Sequence, residues 1–201
     1  MKRLLTYIGY LQTLLIGTSL LLLVILPIVY AYFVQLVPQT LYTQLFQISF
    51  ALVTILMVLR PLADLFNTLP WLRMLVLLRK GLGTLSASIV VGLLLSKVLV
   101  HGIGYFAGYL SASRWGLDGY TLFATLGDLS AVPLLLTSNV FSKRVLGSSW
   151  YVLQKLSYVY FYAGGLYEYL ALGQKSALGA MLFVAFITAI AFIKKRIQPT
   201  V

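Results

Sequence analysis

"LLTYIGYLQTLLIGTSLLLLVILPIVYAYFVQLVPQTLYTQLFQISFALVTILMVL" runs from Leu4 to Leu59 and contains no Asp, Glu, Lys or Arg. A hydrocarbon core about 30 Å thick takes roughly 20 apolar residues per helical crossing, so this run alone is long enough for two. The remainder has the same character. Of 201 residues, 61% are hydrophobic and 9% charged, and the mean hydropathy is +0.96. Soluble domains carry about 25% charged residues, so this chain lacks the polar surface that water requires. The sequence predicts an all-α, multi-pass protein integral to a cell membrane, the cytoplasmic or plasma membrane, with the lipid bilayer as its first partner.

Working outward from that run, hydropathy and helix breakers give six spans at about 8–34, 41–59, 82–103, 119–138, 150–172 and 177–193, forming one bundle and a single domain over 1–201. Pro27 is expected to bend or tilt the first span. Gly127, Asp128 and Pro133 interrupt the fourth, which lipid nonetheless forces into a helix because its backbone groups must be hydrogen-bonded internally. Met1-Lys2-Arg3 resembles the start of a signal peptide. The apolar stretch continues past Tyr30, however, which predicts a retained first helix.

Charge orients the bundle. With the N-terminus in the cytoplasm, Lys2 and Arg3 fall inside, as do Arg60, Arg73, Arg79 and Lys80 of the second-to-third connection, Lys143 and Arg144, and the tail Lys194, Lys195 and Arg196. The outer loops receive only Arg114 and Lys175. Cytoplasmic loops carry an excess of Lys and Arg, so both termini are predicted to be cytoplasmic. The net charge of +11 is thereby explained by short loops, and nucleic acid is not an expected partner.

The absence of cysteine removes disulfides, thiolate metal sites, iron–sulfur clusters and a cysteine nucleophile from consideration. One histidine and four widely separated acids leave no histidine-rich metal cluster and no Ser-His-Asp arrangement. Gly81-Leu82-Gly83 opens a membrane helix instead of following a strand, so it reads as a packing or capping feature and not a nucleotide loop. Ser88, Gly92 and Ser96 recur every four residues, as do small residues where membrane helices approach closely. Gly164 and Gly165 are expected to serve the same purpose in the fifth span. Tyr7, Tyr10, Tyr30, Tyr32, Tyr105 and Tyr109 fit an interfacial aromatic belt.

Ionisable residues inside a bilayer are expensive and are usually paired. Lys97 and Asp128 lie at similar depth from the outer end on oppositely running spans, which predicts an ion pair between them. His101 stands one turn from Lys97, and Glu168 approaches the same outer layer from the fifth span. Two readings remain open for this cluster: a proton path or small-ligand site, and an ion pair that locks three helices together.

Three stretches carry a family resemblance: "LRPLADLF" at Leu59–Phe66, "LLRKGLGTLSASIV" at Leu77–Val90 and "LLLTSNVFSKRVLGSSWYVLQKLSYVYF" at Leu134–Phe161. Over roughly positions 45–190 the chain resembles the ferric reductase-like transmembrane domain family, and within it the MsrQ-type haem-binding membrane subunits. Thr137-Ser138, Lys143-Arg144, Leu146-Gly147, Trp150, Leu153, Leu156 and Tyr158 match the pattern. The resemblance implies haem clamped by histidines between the third and fifth helices. It places those ligands at Gln154, at Tyr167 thirteen residues on, and near Leu93. Haem iron takes His, Met, Cys or Tyr and the resemblance calls for histidine, so Leu93, Gln154 and Tyr167 read as degenerate ligand positions, and haem b is not expected as a cofactor.

Two outcomes are weighed for the vacated space. Tyr158, Tyr160, Phe161, Tyr162, Tyr167 and Tyr169 fill it, or another planar or isoprenoid molecule (flavin, quinone or pigment) lies there. The function expected is a haem-less accessory or assembly subunit of a membrane complex, with other membrane or extracytoplasmic subunits as partners and no catalysis of its own. The alternative is a divergent electron-transfer subunit of oxidoreductase type, using a non-haem cofactor or a partner's.

Overall fold

The computed structural model describes residues 2–33, 38–116 and 119–197, all of them helical or in short connections. The helices are α1 (Lys2–Tyr32), α2 (Gln39–Leu65), α3 (Pro70–Leu75), α4 (Arg79–His101), α5 (Gly104–Ala107), α6 (Thr121–Leu136), α7 (Val140–Leu146), α8 (Ser149–Gln154), α9 (Leu156–Leu172) and α10 (Lys175–Ile197). Single 3-10 turns occupy Val76–Leu78, Gly108–Leu110 and Ala112–Arg114. Among the described residues four helical stretches are long and apolar enough to cross a membrane: Arg3–Tyr32, Gln39–Leu65, Pro70–His101 and Lys175–Ile197. Thr121–Leu136 is apolar but shorter, rising about 24 Å at 1.5 Å per residue.

The helices outrun the expected spans at several ends. α1 begins at Lys2 instead of about 8, α2 extends to Leu65 instead of 59, and α3, the 3-10 turn and α4 make one helical stretch from Pro70, twelve residues before the expected start. Hydropathy marks where lipid begins, whereas the backbone hydrogen-bond ladder continues into the polar zone. Position 34, the expected end of the first span, lies outside the described residues. Pro27, Pro61 and Pro133 all sit inside helices. At Pro133 the carbonyl accepts both the backbone N–H of Thr137 at 2.9 Å and its hydroxyl at 2.6 Å, which closes the end of α6.

Neighbouring contacts fix the directions. Gly81, Ser88 and Gly92 of α4 meet Leu15, Ser19 and Leu26 of α1 in that order, so these two helices run parallel. Ser49 and Leu56 of α2 meet Ser86 and Gly83 of α4 in the opposite order. Lys194 Nζ donates to Leu65 O at 2.5 Å, joining the ends of α2 and α10 on the side that carries the basic connections. Four helices, α2, α4, α6 and α9, pack in a ring about a common axis, α1 lies outside on α4, and α10 lies outside on α2 and α9.

The main apolar core lies on that axis and includes Val53, Met57, Val90, Ala131, Tyr160 and Phe161, with Met181 and Val184 from α10. Phe50 stacks on Phe161 with ring centres 5.5 Å apart and planes 3° from parallel. Offset or stacked aromatic pairs add about 0.5–1.5 kcal/mol beyond the area they bury. A second cluster, Leu26, Ile89 and Leu93, seals α1 against α4 with Leu45 and Phe46 of α2.

Candidate functional site

The axis contains a cavity of about 50 Å³ between α2, α4, α6 and α9. Its outer end is framed by Tyr42, Lys97, Tyr167 and Glu168, its walls by Phe46, Phe50, Phe123 and the glycines Gly127 and Gly164, and its floor by Ser49, Val53, Val90 and Tyr160. On α2 the lining runs from position 42 to 53, a rise of about 16 Å. The slot therefore extends from the end opposite the basic connections to about half the depth of a hydrocarbon core.

The floor is polar and closed by hydrogen bonds. Ser49 Oγ lies 2.8 Å from Tyr160 OH and 2.9 Å from Ser86 Oγ, and Ser86 Oγ lies 3.0 Å from Tyr160 OH. Each serine hydroxyl also donates across the interface, Ser49 to Ser86 O at 3.1 Å and Ser86 to Ser49 O at 2.9 Å. Three helices are thus tied by hydroxyls with no charge among them, where an unmatched polar group in hydrocarbon would cost several kcal/mol. The sequence reading missed this cluster as a unit. Its signal was present: two serines and a tyrosine on three different apolar helices, at the same depth.

The outer end departs from the expected ion pair. Among the described residues Lys97 and Asp128 form none. Asp128 Oδ2 accepts from Tyr109 OH at 2.6 Å, and Lys97 Nζ stands over the Tyr42 ring, 5.3 Å from its centre, and 6.0 Å from that of Tyr105. The reason lies in the segment after α4, which folds back over the bundle. Tyr109 is buried there, Trp115 Nε1 donates to Tyr109 O at 2.7 Å, and the Arg114 guanidinium lies 4.6 Å from the Tyr109 ring centre and 5.3 Å from that of Tyr105. Burial, ahead of the neighbouring Asp128 carboxylate, holds the Tyr109 hydroxyl far above the usual phenol range, so it stays protonated and donates.

His101 does not join the cluster. It is the last residue of α4, exposed, with its ring 6.1 Å from that of Tyr105 and outside the cavity lining. Lys97, Asp128 and Glu168 do border one space.

The three degenerate ligand positions do not converge. Leu93 is 1% exposed, belongs to a cluster with Leu26 of α1 that also takes in Tyr42 and Phe46 of α2, and is not part of the cavity lining. Gln154 Nε2 donates to Thr137 Oγ1 at 3.3 Å, beside Trp150 Nε1, which donates to Thr137 O at 2.9 Å. Tyr167 alone lines the cavity, its ring 5.6 Å from Phe46 and 5.8 Å from Tyr120.

Between 154 and 167 the helix tightens at Lys155, where α8 and α9 meet through i→i+3 bonds (Lys155 N–H to Val152 O and Tyr158 N–H to Lys155 O, both 3.0 Å). The aromatic filling is also partial. Tyr160 and Phe161 are buried, while Tyr158 and Tyr169 face outward.

These residues do not fit a haem held by two imidazoles. The chain's single histidine lies off the axis, and the central space is taken by the Phe50–Phe161 stack and the Ser49–Ser86–Tyr160 cluster. A cavity of about 150 Å³ accommodates one benzene, so a space of about 50 Å³ admits waters and no ring. Among the described residues no three of His, Cys, Asp and Glu gather as a metal site.

No family model and no solved structure matches the chain. Over 116 residues it is 34% identical to the protein-methionine-sulfoxide reductase haem-binding subunit MsrQ of Agrobacterium fabrum, a match covering 55% of this chain and 48% of that protein. The chain thus spans about half the length of the curated relative it matches. The apolar helices and this likeness together make the chain an integral, multi-pass membrane protein with a distant relative among haem-binding membrane subunits.

Proposed function

We propose that this protein is a haem-less accessory or assembly subunit of a membrane complex, built on a ferric reductase-like frame of six spans with both termini in the cytoplasm. Four long helices supply four of the spans. The other two are α6 and the α8–α9 column, which complete the alternation of direction around the axis. Lys143 and Arg144 then share the side of Arg60, Arg79 and the Lys194–Arg196 tail, as the inside excess of basic residues requires. The likeness to a haem-binding membrane subunit supports the frame and the association with further membrane or extracytoplasmic subunits.

The observation that carries the haem-less reading is what stands on the axis. Where the resemblance calls for imidazoles, Gln154 is engaged by Thr137 and Leu93 is packed on Leu26. The Phe50–Phe161 stack and the serine–tyrosine cluster occupy the interior. A subunit of this kind contributes surface and assembly, and leaves electron transfer to its partners.

A second reading keeps the electron-transfer role with a flavin, quinone or pigment in place of haem. The aromatic walls of the cavity, Phe46, Phe50, Phe123 and Tyr167, favour it. It requires the four axial helices to part, because the present space is smaller than one aromatic ring. Mass analysis of small molecules co-purifying with the protein from native membranes in mild detergent separates the two. The accessory reading expects lipids alone. A stoichiometric flavin, quinone or pigment selects the second.

A further inference from the structure

Two glycines hold the axial cavity open. Gly127 of α6 and Gly164 of α9 both line it. A Cβ built on Gly127 meets nothing within 4 Å, and one on Gly164 meets only Phe50 Cδ2 at 3.9 Å. Glycine is a poor residue inside a helix, so two of them facing one space, where alanine would fit, maintain that space at a cost to the helices.

Glu168 is an independent observation. Its side chain is 4% exposed, it borders the same cavity, and its Oε1 has no hydrogen-bond partner among the described residues. A buried polar oxygen left unmatched is costly, and a polar cavity with room for several waters is where such an atom finds its partner. The space, about 50 Å³, exceeds what one water needs and gives room for a short file of them.

We propose that the axial cavity is a water-filled proton-exchange site, in which Glu168 at its outer end takes up and releases protons on the side opposite the basic connections. Hydroxyl and charged groups border the file along its length. Lys97 and Tyr42 stand at the mouth, Asp128 on the α6 wall, and Tyr160 with Ser49 at the floor. The other groups near Glu168 are Tyr167 on its own helix and, beyond Asp128, the hydroxyl of Tyr109 with Arg114 over its ring. From α10, packed on the far side of α9, Met181 abuts Gly165 and no titratable group enters the cavity.

The step is an acid–base exchange. A hydronium at the outer end gives its proton to a cavity water, which in turn gives a proton to a Glu168 carboxylate oxygen. One O–H bond forms on Glu168 as one breaks on the donor. No electron moves and no further reactant is consumed.

The test is infrared difference spectroscopy of the full chain in lipid nanodiscs, acid minus alkaline, followed after a pH jump. The expected result is a carboxylic-acid carbonyl band that is lost in Glu168→Gln and kept in Asp128→Asn. In Gly127→Leu, whose side chain enters the open space, the band is expected to appear several-fold more slowly. A band unchanged in Glu168→Gln overturns the proposal, as does a response in Gly127→Leu as fast as in the unaltered protein. Circular dichroism and gel filtration check folding. Should Glu168→Gln fail to fold, Glu168→Asp must shift the band in frequency, and an unshifted band counts against the proposal equally.

Discussion

Glycine and serine do opposite work in two parts of this molecule. On the α1–α4 seam they close space: a Cβ on Gly81 would lie 3.0 Å from Leu15 Cβ, one on Gly92 3.2 Å from Leu26 Cβ, and Ser88 Oγ lies 2.5 Å from Ser19 Oγ. On the axis Gly127 and Gly164 leave space, and Ser49 and Ser86 line or support its floor. Lipid tails give helices little hydrophobic reason to associate, so close backbone approach is what binds α1 to α4. The axis is held instead by aromatic stacking and by hydroxyls that satisfy one another. The same residue types therefore build a dry seam in one place and a polar slot in the other.

Substitutions that add one methyl group give the sharpest contrast. Gly165→Ala places a Cβ 2.6 Å from Met181 Sδ, 2.9 Å from its Cγ and 3.0 Å from Phe50 Cε2. Overpacking of this kind costs about 1–3 kcal/mol, and a lowered Tm in detergent is the expected readout. An unchanged Tm would show that α9 and α10 are less tightly joined than described.

Tyr160→Phe removes the hydroxyl that joins Ser49 to Ser86 and should destabilise by about 1 kcal/mol. In a double-mutant cycle with Ser49→Ala, the second change should then cost less than it does alone. Strict additivity would mean that the floor is not a coupled unit.

Gly127→Ala should have the smallest effect and the opposite sign. Nothing lies within 4 Å of the new Cβ, and the gain in helix propensity is up to about 1 kcal/mol. A fall in stability here would break the distinction between seam and slot.

The sequence made the membrane class legible through the charge-free run of Leu4–Leu59, and the close α1–α4 approach through Ser88 and Gly92. It also brought Lys97, Asp128 and Glu168 to one region by depth counting alone. Depth counting failed on side-chain direction. Asp128 went to Tyr109 instead of Lys97 because the segment after α4 folds inward, and nothing in the periodicity of the spans reports the path of a connection. His101 followed its helix end outward to Tyr105. Leu93 was placed by counting from Arg79-Lys80, and the count could not report the cluster with Leu26 and Ile89 in which it is buried. Gly127 was read as an interruption of a helix and not as a wall of a cavity, because that distinction depends on what stands opposite.

The central proposal is that the axis of this bundle does not hold haem between two imidazoles. Titration of the detergent-purified protein with haemin, read by its Soret absorption and by electron paramagnetic resonance, tests it most directly. The account predicts only weak, non-stoichiometric uptake with no low-spin bis-imidazole signal. A saturable Soret band with bis-histidine character, at one haem or more per chain, would contradict it.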